Sequence, residues 1–174
     1  MEPLRDQIRR LPEIDARAGT SKRRFLAELD RLDCPFDEHA DPVHVTASAV
    51  VVGTRGTVLH RHKRLGLWLQ LGGHINLGEA PWDAAIREVA EEAGLAASHP
   101  DGGPRLFHID VHPGAKGHTH LDLRYLLQVG DVDCAPPAGE SPDCRWFAWD
   151  EALALADRGL IGALRLARVA TVNQ

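Results

Sequence analysis

The chain is short of cysteine, of aromatic side chains and of any broad basic stripe. Its three cysteines, Cys34, Cys134 and Cys144, are odd in number and lack CxxC spacing. That argues against a disulfide framework and against a thiolate zinc site, and leaves reduced structural thiols as the expectation. Net charge is −5 with an isoelectric point near 6.0. Nothing resembles the basic stripe that tracks a nucleic-acid backbone, so no stable nucleic-acid partner is expected. The opening residues Met1–Arg10 carry charges throughout and hold no uninterrupted apolar run. They read as neither a signal peptide nor a membrane span, and a cytoplasmic protein is expected. Aromatics make up 5% of the chain, and those able to stack on a base are Trp68, Trp82, Tyr125, Trp146 and Trp149; core or rim packing is the simpler use for most of them. There is no internal repeat and no low-complexity segment.

What is present suits one globular domain: 174 residues, 44% hydrophobic and 26% charged. Leu4, Ile8 and Leu11 recur at helical spacing until Pro12 stops the segment. Thr20 or Ser21 can cap a second helix to about Leu32, with Phe25, Leu26, Leu29 and Leu32 on its apolar side. Residues 1–40 therefore read as a helical extension that packs on the remainder, forms a homodimer contact or covers a substrate, and 41–174 as the main domain. The β-branched run Val43–Val52, bounded by Pro42 and Gly53, reads as a strand. Further strands are expected at Thr57–His60, Leu67–Leu71, Arg105–His112, Thr119–Val129 and Arg145–Ala148. Asp150 can cap a helix through Ala156, and a last helix fits Ile161–Val169.

The most informative segment lies between Gly73 and Leu95. Pro81 suits the first turn of a helix and Gly94 its end, so the helix should span about 81–93. At 100° per residue Glu88, Glu91 and Glu92 share one face, while Ile86, Val89, Ala90 and Ala93 share the opposite one. Like charges at these spacings destabilise a helix by about 0.2–0.5 kcal/mol per pair, so the arrangement favours a bound cation. Carboxylates without thiols select Mg²⁺, or Mn²⁺, which keeps several waters and shares its shell with substrate phosphates.

The same residues resemble the Nudix box, G-x5-E-x7-R-E-U-x-E-E-x-G-U with U aliphatic, at Gly73, Glu79, Arg87, Glu88, Val89, Glu91, Glu92, Gly94 and Leu95. Every specified position matches, over 23 residues; where a proline often precedes the glycine pair, Leu71 stands here. The resemblance implies an α/β/α sandwich with a mixed sheet, which the element order suits better than a doubly wound fold. It implies hydrolysis of a nucleoside diphosphate linked to another moiety, such as a nucleotide sugar, ADP-ribose or a nucleoside triphosphate. It implies Glu88, Glu91, Glu92 and the Gly73 carbonyl as metal ligands, with Glu88 a candidate general base. It also implies a supporting salt bridge between Arg87 and Glu79 that steers Arg87 away from the metal. A later loop often supplies a further acid, for which Glu140 is best placed; Asp143 and Asp122 compete, and a solvated loop acid is the plain alternative.

Around the box, His60, His62, Lys63 and Arg64 are candidates to hold substrate phosphates, or form an ordinary mixed-charge loop. His74 joins them as a substrate-side candidate. His108, Asp110 and His112 alternate on one strand, and His118, His120, Asp122 and Arg124 on the next. Paired, these two sets form a solvent face, line a substrate pocket through residues such as His120 and Arg124, or make a second, transition-metal site. A Nudix-like module that binds a nucleotide without cutting it is the alternative to an enzyme, although the complete set of acids weighs against it. No cysteine motif near the box supports isoprenoid diphosphate isomerisation. Pro113 falls slightly later than the proline that ADP-ribose hydrolases often carry, so the substrate stays open.

Overall fold

The computed structural model describes residues 1–172. Two helices, α1 (Glu2–Arg10) and α2 (Ala16–Arg31), precede β1 (Val43–Gly53), β2 (Gly56–Arg61), β3 (Trp68–Leu69) and β4 (Leu71–His74). The helix α3 (Pro81–Ala93) leads into β5 (Leu106–Pro113), a single 3₁₀ turn, β6 (Thr119–Gln128), β7 (Cys144–Phe147), α4 (Trp149–Leu155) and α5 (Ile161–Val172). The seven strands form one mixed sheet with path β3-β2-β1-β6-β5; β4 also pairs with β1, and β7 with β2. β1 and β6 run parallel, and the other pairs are antiparallel. Helices on both faces make it an α/β/α sandwich.

The period of β1 explains the layering. Val45, Ala47, Ala49 and Val51 point to one side, where they meet Leu121, Leu123, Tyr125 and Leu127 of β6 and Ala84, Ala85, Val89 and Ala93 of α3. Val50 and Val52 point to the other side, beneath Leu160, Ala163, Leu164 and Ala167 of the C-terminal segment. α1 and α2 are built into the first of these cores, since Ile8 and Phe25 are fully buried within it. Plain packing is thus what these helices do in the monomer. Among the described residues, no helix is long and apolar enough to cross a membrane.

Several local expectations shift. Asp15, not Thr20 or Ser21, caps α2, its side chain accepting from the Ala18 N–H, so the helix begins a turn earlier. Pro3 lies in the first turn of α1 and lets it start at Glu2. Asp150 sits inside the first turn of α4 and pairs with Arg168 instead of capping. In α3 the buried residues are Ala84, Ala85, Val89 and Ala93, while Ala90 is exposed. The apolar stripe is therefore rotated toward the acids, and Glu88 and Glu92 continue the line that Ala84 begins.

Because Phe25 is fully buried, Phe25→Ala should lower unfolding stability by about 3–5 kcal/mol. Urea denaturation followed by far-ultraviolet circular dichroism should show one transition moved to lower denaturant. A wild-type-like midpoint would mean that α2 is only loosely attached.

Candidate active site

The site is assembled where β4 passes the middle of α3. β4 enters the sheet against β1, with Ala47 opposite Gly73 and Ser48 opposite Gly72. Gly72 is required sterically, and Gly73 leaves room for the Glu88 carboxyl group. A methyl group on Gly73 would lie 2.7–2.8 Å from the Glu88 carboxyl atoms, and one on Gly72 would collide with Ser48. The Gly72 N–H donates to Glu92 Oε2 at 2.8 Å. The side chains of Glu88 and Glu92 are 12% and 17% exposed, whereas that of Glu91 is 56% exposed. Two of the three box acids thus sit in the crevice under β4, and the third faces solvent at its rim.

Arg87 organises this region. Its Nε and Nη2 donate to the two oxygens of Glu79 at 2.8 and 2.9 Å, a bidentate pair. Nη2 also donates to the His74 carbonyl at 2.8 Å, and Glu79 in turn accepts from the Asn76 N–H. The Arg87–Glu79 bridge is formed, and its hydrogen bonds hold the Glu79 carboxyl below its ordinary value. Arg87 is not turned away from the box acids, however. Its Nη1 donates to Glu88 Oε1 at 2.7 Å and to Glu91 Oε2 at 2.9 Å. The reason is reach: Glu91 is one turn along the helix and Glu88 is the next residue, so a single guanidinium spans all three carboxylates.

Burial raises the Glu92 carboxyl to about 8, opposed by the Gly72 hydrogen bond and reinforced by the negative charges of Glu88, Glu140 and Glu91. Burial also raises Glu88, with Arg87 pulling the other way. Glu140 is thus brought within electrostatic range of the box from a turn that is bound to the end of β2: Ser141 Oγ donates to the Arg61 carbonyl, and the Arg61 N–H donates to the Asp143 carbonyl. Lys63 Nζ stands 3.8 Å from Glu140 Oε2. Glu88, Glu91 and Glu92 offer carboxylate oxygens beside Gly73, with Glu140 in electrostatic range, and the buried ones lack a full complement of cations. A hard divalent ion fits such a set.

Other candidates are placed differently. His60 is 5% exposed, and burial, with the charges of His62 and Lys63, lowers it to about 4. It is a neutral neighbour of Glu92, with Nδ1 at 3.8 Å from Oε1, rather than a phosphate-binding cation. Lys63 and Arg64 are exposed and His62 is half-buried on the β2–β3 turn, open to an anion. Arg124 is not available to substrate. It is 2% exposed, and its guanidinium donates to Asp122 at 2.9 Å and to the Gly159 carbonyl at 2.6 Å. Asp122 also accepts from Thr46, Ser48 and Gln70, which removes it from competition as a metal ligand. Asp143 is exposed and stands 3.9 Å from Arg61.

The alternating strands pair through their short loop, with His108 opposite Arg124, Asp110 opposite Asp122 and His112 opposite His120. Their shared face is neither open to solvent nor an empty pocket over most of its length. Asp110 is gripped by the Arg17 fork at 2.8 and 2.9 Å and by Ser21 at 3.2 Å. Burial alone would raise the Asp110 carboxyl, but the His112 ring, Arg17 and the Arg124 charge hold it well below the usual carboxylate range. The end of this face nearest the box is different: His44, His74 and His120 converge there. His44 on β1 carried no signal in the strand pattern that singled out the β5 and β6 histidines; its register opposite His120 is what brings it in.

Comparison with known proteins settles the family. The NUDIX domain family model matches residues 42–166. The chain belongs to the Nudix family. It is 30% identical over 101 residues to an asymmetrical bis(5'-nucleosyl)-tetraphosphatase of Caenorhabditis elegans, covering 56% of this chain and 70% of that protein. It is 33% identical over 95 residues to a probable DHNTP pyrophosphohydrolase of Lactococcus lactis subsp. cremoris, covering 52% of this chain and 57% of that one. Among solved structures, a NUDIX-family hydrolase from Clostridium perfringens superposes with a TM-score of 0.61 at 29% identity, covering 75% of this chain and 98% of the other. The Nudix chain described here is a hydrolase acting on pyrophosphate bonds.

The Glu92 carboxyl gives a signed pH test. Its folded value, about 8, lies above the ordinary carboxylate value of 4.5. The folded state therefore holds its proton longer, and cation-free stability should fall as pH rises from about 4.5 to 8. Glu92→Gln keeps an acceptor for the Gly72 N–H and cannot ionise. In a chelator its unfolding free energy should exceed that of the wild type by about 2–4 kcal/mol at pH 8.5 and match it near pH 4.5. A constant difference across that range would show that Glu92 ionises normally.

Proposed function

We propose that this Nudix hydrolase is a Mg²⁺-dependent diphosphatase, with Mn²⁺ able to substitute, acting on a nucleoside diphosphate linked to another moiety. The observation that carries the reading is the pair of desolvated carboxyl groups, Glu88 and Glu92, held against Gly72 and Gly73 beside exposed Glu91 and the Glu140 turn. Glu88, Glu91, Glu92, Glu140 and the Gly73 carbonyl are the proposed metal ligands. Bound Mg²⁺ supplies neutralisation of phosphate oxygens and a lowered pKa for the attacking water.

The remaining steps belong to the chain's own groups. Glu88 is the proposed general base, because its buried carboxyl already lies above its ordinary value and so accepts a proton more readily than an exposed glutamate. Arg87, fixed by Glu79 and the His74 carbonyl, positions Glu88 and Glu91 and limits their mutual repulsion. Lys63, Arg64 and His62 are proposed to meet the outer phosphates from the β2–β3 turn. The relatives named as a bis(5'-nucleosyl)-tetraphosphatase and a probable DHNTP pyrophosphohydrolase support a small nucleotide-derived substrate. Residues 41–174 form the proposed catalytic unit with 1–40 appended, working in the cytoplasm.

A panel of nucleoside triphosphates, ADP-ribose, nucleotide sugars and dinucleoside polyphosphates, assayed with Mg²⁺ and with Mn²⁺, should reveal turnover of at least one class. Glu91→Gln and Glu88→Gln should each lower kcat/KM by about 100-fold or more while leaving the far-ultraviolet spectrum unchanged. Calorimetric nucleotide binding with no product across the panel would instead assign the chain to the binding modules, and unchanged rates in both variants would reject the ligand assignment.

A further inference from the structure

His44, His74 and His120 come from three different strands, yet one ring nitrogen of each lies within 4.8 Å of the others. The ring centroids are 5.1 Å apart for His44 and His74, 5.2 Å for His44 and His120, and 5.5 Å for His74 and His120. Three imidazoles packed together without an acid between them gain little from one another. Two of them are also oriented from behind. His44 Nδ1 is 3.2 Å from the Asp41 carbonyl, and His74 Nδ1 is 3.2 Å from Glu38 Oε2. The Asp41 carbonyl can only accept, which places the His44 ring proton on Nδ1 and leaves its Nε2 with a free lone pair, and the Glu38 carboxylate faces the Nδ1 edge of the His74 ring. Both Nε2 atoms are buried, and neither has a hydrogen-bond partner. His44 is fully buried, so its bare nitrogen is a cost that the fold itself leaves uncompensated.

We propose that these three histidines form a transition-metal site, of the kind that takes Zn²⁺, separate from the all-oxygen site of the box. Imidazole nitrogen selects Zn²⁺ and its neighbours in the first transition row over Mg²⁺. Ligating histidines characteristically donate their second ring N–H to a carbonyl or a carboxylate, which is what Asp41 and Glu38 provide. Tetrahedral zinc with bonds of about 2.0–2.1 Å sets its nitrogens about 3.4 Å apart, so side-chain rotation of little more than 1 Å closes the site. The fourth position is left for water or for an additional ligand. His118, whose ring is 5.0 Å from that of His44, is a protein candidate for it.

The site has a structural consequence for the box. His74 directly follows Gly73, and its carbonyl accepts from Arg87. An ion held by His74 together with β1 and β6 would tie the end of β4 to the centre of the sheet and stiffen the turn on which the acids depend. The Glu38 and Asp41 contacts bring the segment that joins α2 to β1 into the same unit.

The test uses the full chain stripped of metal and held in millimolar Mg²⁺ to occupy the box. Co²⁺ titration should give the visible absorption of four- or five-coordinate nitrogen-ligated cobalt, saturating at one equivalent and bleached by Zn²⁺. His74→Asn and His120→Asn should each weaken Zn²⁺ binding by about 100-fold or more in chelator competition, and Zn²⁺ should raise the Tm of the wild type but not of these variants. These two positions are not fully buried, so they serve where His44→Asn fails to fold. A triple Glu88→Gln, Glu91→Gln, Glu92→Gln variant should retain the cobalt signal, which separates this site from the catalytic reading. The proposal is overturned if stripped wild type gives no cobalt spectrum, if the signal disappears with the glutamates, or if the double variant His74→Asn, His120→Asn binds Zn²⁺ like the wild type.

Discussion

The structure depends on how closely the backbone of β4 approaches the carboxyl groups of α3. Gly72 lets β4 lie tight against Ser48 of β1 while its N–H reaches Glu92, and Gly73 leaves the space that the Glu88 carboxyl group occupies. That approach seats two acids in a place where water is scarce, and burial of a charged group without a counter-ion is strongly unfavourable. The fold tolerates it because each acid has a partial remedy: a backbone N–H for Glu92 and one arm of Arg87 for Glu88. Neither remedy is complete, so burial keeps the Glu92 carboxyl raised to about 8. Incomplete compensation is a useful state for a cation site, because an incoming ion finds ligands that water does not already satisfy.

Arg87 makes that state rigid. One guanidinium connects Glu79 at the start of the box, the His74 carbonyl at the end of β4, and Glu88 and Glu91 on the helix. Its planar fork fits this task where a lysine ammonium would not, since two parallel bonds to Glu79 fix its orientation before it meets the other acids. A similar economy operates on the far side of the sheet. Arg17 reaches Asp110 across 93 residues of sequence, and Arg124 links Asp110, Asp122 and the Gly159 carbonyl. A closed polar network of this kind is high in stakes, because removing one partner leaves the others charged and buried.

The box was legible because its parts constrain one another: Pro81 and Gly94 bound a helix of the expected span, and the glycines and the Arg87–Glu79 pair have one sensible arrangement around it. Strand positions were also legible, since β-branched runs end at glycine and proline. What could not be read was which groups are covered. The alternation of His108, Asp110, His112, His120, Asp122 and Arg124 states that they share a face, and says nothing about what lies over it. Ser21 and Arg17 of α2, together with the α4–α5 turn, cover that face and convert a seeming solvent surface or pocket into a buried network. His60 followed the same rule: its basic neighbours suggested a phosphate contact, but its strand position carries it into the interior beside Glu92.

The histidine cluster turns on a different constraint, the parallel register of β1 and β6. A shift of one residue would turn His44 to the opposite face and separate it from His120, so the pairing of these strands decides whether the cluster exists at all. The register is held by the buried apolar positions, Val45 opposite Leu121 and Ala47 opposite Leu123, which a slip would expose on the polar side. The cluster is therefore a consequence of core packing and needs no special local geometry. Its proximity to the acids follows as well, because β4 must pair with β1 to bring Gly73 to Glu88, and the next residue along β4 is His74, opposite Thr46. Oxygen donors and nitrogen donors thus stand on either side of one peptide bond. Hard and borderline cations sort between them by ligand chemistry rather than by distance.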